Sequence, residues 1–148
     1  MKRFLSSLFT VITIDQAFKL YFLQTEFLPI YYNDGYAFSL SLPEPWHWIM
    51  LWVFYFVAWC CAILCLRHNY RNGWDKLGAG MLLGGASSNL IDRMIHNGRV
   101  IDFIAVPYFS IFNIADVCIT LGVIMLIFAE LRRSYGQSGQ SKNTVGRG

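Results

Sequence analysis

The sequence predicts an all-α membrane protein with four transmembrane helices and a small β-hairpin platform on its outer face. First, 55% of the 148 residues are hydrophobic and only 14% are charged, whereas about 25% charged residues are usual in a water-soluble domain. Second, the apolar residues are concentrated in four runs close to the roughly 20 residues that a spanning helix needs. Third, most Lys and Arg residues lie on one side of those runs.

The four predicted spans are residues 4–23, 46–66, 77–91 and 111–129. The first is interrupted by Asp15 and Lys19, and the second contains no Asp, Glu, Lys or Arg. The third is short and rich in small residues, and it extends by one turn only if it takes in Asp92 and Arg93. The fourth carries Asp116 as its only charged residue.

The basic residues predict the orientation of the chain. Nine of the 12 Lys and Arg residues lie before the first run, between the second and third, or after the fourth. Because these residues concentrate in cytoplasmic loops, we expect both termini in the cytoplasm. A signal peptide is the alternative for residues 4–23, but no small-x-small cleavage site follows them, and the charged pair Asp15 and Lys19 suits a retained helix.

Composition also limits the partners and cofactors. The net charge of +3 reflects the Lys and Arg residues of the predicted cytoplasmic segments, so it does not indicate nucleic-acid binding. All four cysteines lie within predicted spans, which favours packing roles over a disulfide framework or a zinc site. We expect no metal and no cofactor, a membrane domain over residues 1–133, and a polar, disordered tail over residues 134–148.

The first run and the loop after it contain two candidate features. Asp15 and Lys19 are four residues apart and can neutralise each other on one helix face, either as a structural ion pair or as part of a site. The loop contains Asp34 and Gly35 between aromatic residues, a pattern typical of a β-hairpin. On local grounds, Asn33 to Gly35 need only form the turn.

The third run ends in a polar group. Gly80, Gly84 and Ser88 form a small-xxx-small ladder that permits close helix packing. Beyond it, Asn89 and Arg93 share a helix face. Asp92 and His96 offer two possible metal ligands, which is too few for a zinc site.

Two further carboxylates lie at the same predicted membrane face. Asp102 follows an apolar segment, and Asp116 lies three residues after Asn113. Two adjacent carboxyl groups share a proton, so that one can act as a base and the other as an acid, as in aspartic proteases. Separate roles as interfacial or helix-terminal carboxylates are the alternative.

Taken together, five motifs resemble those of the bacterial lipoprotein signal peptidases (signal peptidase II), which are four-helix aspartic proteases of the cytoplasmic membrane. The motifs are Asp15-Gln16-x-x-Lys19, Asn33-x-Gly35-x-Ala37-Phe38, Gly85-Ala86-x-x-Asn89-x-x-Asp92-Arg93, Val100-Ile101-Asp102-Phe103 and Phe112-Asn113-x-Ala115-Asp116. They occur in the family's order and extend from about Asp15 to Ala129.

The resemblance implies that Asp102 and Asp116 are the catalytic pair. It places Asn33, Asn89, Arg93 and Asn113 in the substrate pocket, and Asp15, Lys19, Asp92 and Gly35 in supporting roles. The implied reaction removes the signal peptide of a prolipoprotein whose cysteine already carries diacylglycerol, by cutting on the amino side of that cysteine. The implied location is the bacterial inner membrane, with the site near the outer face, membrane lipids as partners, and a monomeric chain.

Two departures from the family pattern are expected to matter. Ser88 stands where the family usually has glycine, so its hydroxyl either crowds a helix contact or supplies an additional hydrogen bond. The segments 19–33 and 103–112 are shorter than usual in the family, which predicts a reduced outer platform. The alternative functions are an inactive lipoprotein-binding or assembly protein and a small transporter that uses Asp15, Lys19 and Asp116 as an ion relay.

Overall fold

The structure is a computed structural model that describes residues 1–25, 27–34, 46–67, 73–108 and 110–145. Within these ranges the chain forms four helices and four short strands. In chain order they are α1 (Lys2–Thr25), β1 (Tyr31–Asn33), α2 (Trp46–Arg67), α3 (Gly73–Ile95), β2 (Val100–Asp102), β3 (Ile104–Ala105), β4 (Ile111–Phe112) and α4 (Ile114–Val145). The mostly helical fold with small strand pairs therefore agrees with the sequence prediction.

Helix α3 lies at the centre and packs against the other three helices. Its small residues allow this: a Cβ atom on Gly84 would lie 2.8 Å from the carbonyl oxygen of Leu8 in α1. On another face of α3, a Cβ on Gly85 would lie 2.5 Å from the carbonyl oxygen of Ala115 in α4. The backbones of α1 and α4 thus approach α3 more closely than side chains would permit, as small-residue ladders do in membrane helices.

The distribution of polarity is the reverse of that in a water-soluble protein. Asp15 and Lys19 are at most 1% exposed, whereas Phe9, Phe56 and Phe128 on three different helices are 56–68% exposed. Charged side chains inside and aromatic ones outside suit a hydrocarbon environment. Within the part of the chain that the structure describes, residues Ile114–Tyr135 meet the length and composition of a membrane span, and Trp48–Cys60 in α2 is a shorter apolar stretch.

Short antiparallel strands flank the helices. Strand β1 pairs with β2, with Tyr31 opposite Asp102 and Asn33 opposite Val100, and β3 pairs with β4. We expected the partner of β1 to follow Asp34 in the same loop. That segment and Gly35 lie outside the described residues, so the predicted hairpin is untested, and the partner that the structure gives β1 comes from the segment after α3.

Helix α4 differs from the prediction at both ends. Residues Ile111–Phe112 form β4, and the helix begins only at Ile114, because Asn113 caps it. At the other end α4 continues to Val145, past residue 129, where the predicted span ends; the disorder expected of residues 134–148 stays a prediction. Once a helix is formed, each added residue needs no new nucleation, and the Ser134 hydroxyl donates to the Glu130 carbonyl at 3.3 Å beyond the end of the predicted span.

Candidate active site

The structure brings Asp102 and Asp116 into contact with one residue, Asn113. The Asn113 Nδ2 atom donates a hydrogen bond to Asp102 Oδ1 at 2.7 Å. The backbone N–H of the same asparagine donates to Asp116 Oδ2 at 3.2 Å. Two carboxylates from separate segments are therefore tied to one and the same residue.

The end of α3 directs the chain toward this point. Asn97 and Gly98 have positive φ angles of 53° and 86°, and the Gly98 N–H donates to the Arg93 carbonyl at 2.8 Å. This is the Schellman arrangement, in which a left-handed residue ends a helix and reverses the chain. The Asp92 carboxylate then accepts a hydrogen bond from the Ile101 N–H at 3.1 Å, which fixes β2 against α3 and places Asp102 in the site.

The first turn of α4 holds Asp116 by a capping box. Asn113 Oδ1 accepts a hydrogen bond from the Asp116 N–H at 2.9 Å, while the Asp116 side chain accepts one from the Asn113 N–H. Such reciprocal bonds satisfy donors that a helix N-terminus leaves without partners. The spacing of three residues seen in the sequence thus fixes the carboxylate of Asp116 near the positive end of the helix dipole.

Asp102 is 1% exposed, and both of its oxygens accept hydrogen bonds. The second donor is Asn33 Nδ2, which lies 2.9 Å from Asp102 Oδ2. Asn33 stands opposite Val100 in the strand pair. Asp102 lies two residues after Val100, so the side chains of Asn33 and Asp102 are diagonal neighbours on one face of the pair. Burial raises the pKa of Asp102 to about 6; the amide of Asn33 opposes this rise, and the negative charge of Asp116 adds to it.

Asn89 connects the carboxylate pair to a buried cation. Its Nδ2 donates to Asp116 Oδ1 at 2.8 Å, and its Oδ1 accepts from Asn113 Nδ2 at 3.1 Å and from Lys19 Nζ at 3.2 Å. These contacts fit a role in holding the carboxylates. The direct substrate contact that the resemblance implies for Asn89 and Asn113 stays a prediction.

Lys19 is the centre of a buried ion triad. Its ammonium lies 2.6 Å from Asp15 Oδ2 and 2.7 Å from Asp92 Oδ2. The pair of Asp15 and Lys19 expected from the sequence is present, and Asp92 is its third member. Asp15 also reaches α4, where its Oδ1 accepts the Ala115 N–H at 2.8 Å. The triad therefore joins α1, α3 and the helix that carries Asp116.

Two polar side chains of this network were absent from the predicted site. Ser88 Oγ donates to Asp15 Oδ2 at 2.7 Å, so its hydroxyl supplies a hydrogen bond, which is one of the two outcomes expected from the sequence. Gln16 Nε2 donates to Ser88 Oγ at 3.0 Å and to Asp92 Oδ1 at 2.8 Å. The sequence signal that could have identified Gln16 is its amide side chain within an apolar run, directly after Asp15.

The remaining predicted residues have less definite positions. Arg93 lies half-buried in the last turn of α3, beside Asp92, and its predicted role in substrate binding stays a prediction. Gly35 falls outside the described residues. Within the part of the chain that is described, no group of three or more His, Cys, Asp or Glu side chains could hold a metal ion.

This arrangement can support acid–base chemistry on one substrate. Asp102 is enclosed and its pKa is raised to about 6, so it retains a proton more readily than a free aspartate. Asp116 is partly exposed, and its charge is favoured by the start of α4. Two carboxyl groups linked through one asparagine can divide the acid and base roles between them.

Comparison with known proteins finds relatives that match most of this chain. Lipoprotein signal peptidase of Bartonella quintana (strain Toulouse) is 34% identical over 165 residues, which cover 97% of this chain and 95% of that protein. The enzyme of the same name from Polynucleobacter necessarius subsp. necessarius (strain STIR1) is 36% identical, over 74% of this chain and 70% of its own length.

Solved structures have the same fold. Two structures of a bacterial membrane enzyme, at 2.3 and 1.9 Å resolution, align with TM-scores of 0.71 and 0.70 at 24% identity. They cover 90% and 88% of this chain, and 90% and 94% of their own lengths. Residues 7–132 match the family described as Signal peptidase (SPase) II, and this chain therefore belongs to the signal peptidase II family.

Proposed function

We propose that this chain removes signal peptides from prolipoproteins whose cysteine carries diacylglycerol, by cutting on the amino side of that cysteine. Asp102 and Asp116 are the catalytic residues in this proposal. The observation that carries it is the contact of Asn113 with both carboxylates, at 2.7 and 3.2 Å. A protein that only bound lipoproteins would have no need for two carboxyl groups that share a proton.

In the proposed reaction, Asp116 is the base and Asp102 carries the shared proton. Asp116 takes a proton from a water molecule while the water oxygen attacks the scissile carbonyl carbon, and Asp102 gives its proton to the carbonyl oxygen. The tetrahedral intermediate then returns that proton to Asp102, and Asp116 transfers its proton to the leaving nitrogen as the C–N bond breaks. One water is consumed, and the pair regains its starting protonation.

The membrane setting forms part of the proposal. Four spans, with both termini in the cytoplasm and the carboxylates near the outer face of the bacterial inner membrane, are supported by the distribution of basic residues. Exposed aromatic side chains on α1, α2 and α4 suit contact with lipid. A substrate anchored by acyl chains then diffuses in the same bilayer and presents its scissile bond at the depth of β2 and the start of α4.

Cleavage of a diacylglyceryl-modified prolipoprotein in liposomes, followed by gel shift, tests the proposal. We expect wild-type protein to cleave, and Asp102→Asn and Asp116→Asn each to lose activity by at least about 10³-fold, since either change removes half of the acid–base pair. Asp75→Asn, at the opposite end of α3, is the matched control and should retain cleavage.

Two results would contradict the proposal. Folded Asp102→Asn or Asp116→Asn protein that still cleaves at the wild-type rate would exclude the carboxylate mechanism. Wild-type protein that binds the lipidated substrate without cutting it would favour the alternative, a lipoprotein-binding or assembly protein.

A further inference from the structure

We propose that Ser88 is a positioning residue that holds the Asp15 carboxylate against the first turn of α4 and so fixes the direction of Asp116. The effect on catalysis rests on the proposed function, whereas the effect on α4 does not. Ser88 contacts neither Asp102 nor Asp116 through any hydrogen bond in the described structure. It acts through Asp15, which it meets at 2.7 Å.

The direction of the Ser88 hydroxyl is defined by its two neighbours. Gln16 Nε2 lies 3.0 Å from Ser88 Oγ and is a donor, so it occupies a lone pair of the hydroxyl oxygen. The single hydroxyl proton is then available to Asp15 Oδ2. Ser88 is 0% exposed, so water does not compete for either position.

The two carboxylate oxygens of Asp15 accept hydrogen bonds from different parts of the structure. Oδ2 receives the Ser88 hydroxyl at 2.7 Å and the Lys19 ammonium at 2.6 Å. Oδ1 receives the Ala115 N–H at 2.8 Å. Because two donors on different elements hold Oδ2, the plane of the carboxylate is fixed and Oδ1 is directed at α4.

The contact at Ala115 bears on Asp116 because the two residues are consecutive. A helix N-terminus leaves its first amides without partners in the helix. In α4 the Asp116 N–H bonds to Asn113 Oδ1 at 2.9 Å, whereas the Ala115 N–H bonds to Asp15 in α1. The bond from Ala115 therefore ties the turn that carries Asp116 to the body of the helix bundle.

Of the two donors to Asp15 Oδ2, only Lys19 remains when the Ser88 hydroxyl is removed. Lys19 also pairs with Asp92, at 2.7 Å. The carboxylate of Asp15 can then rotate, and its bond to Ala115 weakens. The first turn of α4 opens more often, which moves the Asp116 carboxylate away from Asn113. The expected cost falls on the chemical step and not on substrate binding.

The test compares Ser88→Ala with Ser87→Ala in the full-length protein in detergent. Ser87 is the matched control because its hydroxyl meets Tyr55 at 3.2 Å, toward α2. Hydrogen–deuterium exchange over residues 113–117 is the first readout, and it requires no substrate. Cleavage kinetics are the second.

In Ser88→Ala we expect exchange over residues 113–117 to be about tenfold faster, since one hydrogen bond to a charged group is lost. In Ser87→Ala it should match the wild type. We expect kcat of Ser88→Ala to fall about 5- to 10-fold with KM within about twofold, as for a loss confined to the transition state.

Unchanged exchange over residues 113–117 in Ser88→Ala would overturn the proposal, whatever the activity. Faster exchange across all four helices would also overturn it, because the hydroxyl would then support the whole fold. If exchange changes as expected but wild-type protein does not cleave, the positioning of α4 stands and the proposed function fails.

Discussion

Replacing Asp102 by asparagine should change how the stability of the protein depends on pH. The carboxyl group of Asp102 is 1% exposed, and its pKa is raised to about 6 by burial. A free aspartate has a pKa of about 3.9. Between these two values the folded protein holds a proton on Asp102 that the unfolded chain releases. Asparagine carries no such proton.

The size and sign of the change in stability follow from the difference between the folded and unfolded pKa values of Asp102. A gap of roughly 2 in pKa, at about 1.4 kcal/mol per unit, corresponds to about 3 kcal/mol in the free energy of unfolding. The folded state binds the extra proton, so this contribution is fully present below about pH 4 and is lost as the pH rises through about 6. Wild-type protein should therefore lose up to about 3 kcal/mol of stability over this range, relative to Asp102→Asn.

Reversible unfolding in mixed detergent micelles at pH 4, 5, 6 and 8 measures the effect. Asparagine also disturbs the amide donors of Asn33 and Asn113, but that cost does not vary with pH, so the change in the difference between the two proteins with pH reports the proton on Asp102 together with its coupling to Asp116. Asp34→Asn, an exposed site, is the control for removal of a negative charge. A difference that stays constant from pH 4 to pH 8 would refute the assignment of the raised pKa to Asp102.

Other changes test the contacts around the site. Lys19→Met should lower the free energy of unfolding by about 3–5 kcal/mol, because it leaves buried carboxylates without their cation; unfolding in micelles that matches the wild type would contradict this. Gly85→Ala should cost about 1–3 kcal/mol, since the new Cβ would lie 2.5 Å from the carbonyl oxygen of Ala115 and α4 must shift. Asn33→Ala removes a hydrogen bond that lowers the pKa of Asp102, so the loss of stability should move to higher pH, and an unmoved titration would argue against this contact.

The helices could be predicted because each is encoded by a long run of mostly apolar residues. Apolar runs located α1 and α2 within a few residues of their observed bounds. The end of α3 was less clear, since Asp92 and Arg93 reduce the apolar character of its last turns. The structure includes both residues in the helix and ends it at Ile95, where the left-handed Asn97 reverses the chain.

The contacts of the site depend on tertiary packing and could not be predicted from the sequence pattern. The spacing of Asn113 and Asp116 is local, and it indicated that they would meet. In contrast, the bond between Asp15 and the Ala115 N–H joins residues 100 positions apart. No periodicity encodes such a bond, because it depends on how closely α1 and α4 approach α3.

The charges of the interior explain why one proton should remain on the carboxylate pair. Lys19 is the only cationic side chain among the buried residues of the described structure, and Asp15 and Asp92 already contact it. If Asp102 and Asp116 were both ionised, four carboxylates would share this one ammonium and the start of α4. Amide donors from Asn33, Asn89 and Asn113 reduce the cost without neutralising it. A proton on Asp102 removes the more buried charge of this pair and leaves Asp116 ionised at the helix terminus, as a base for water requires.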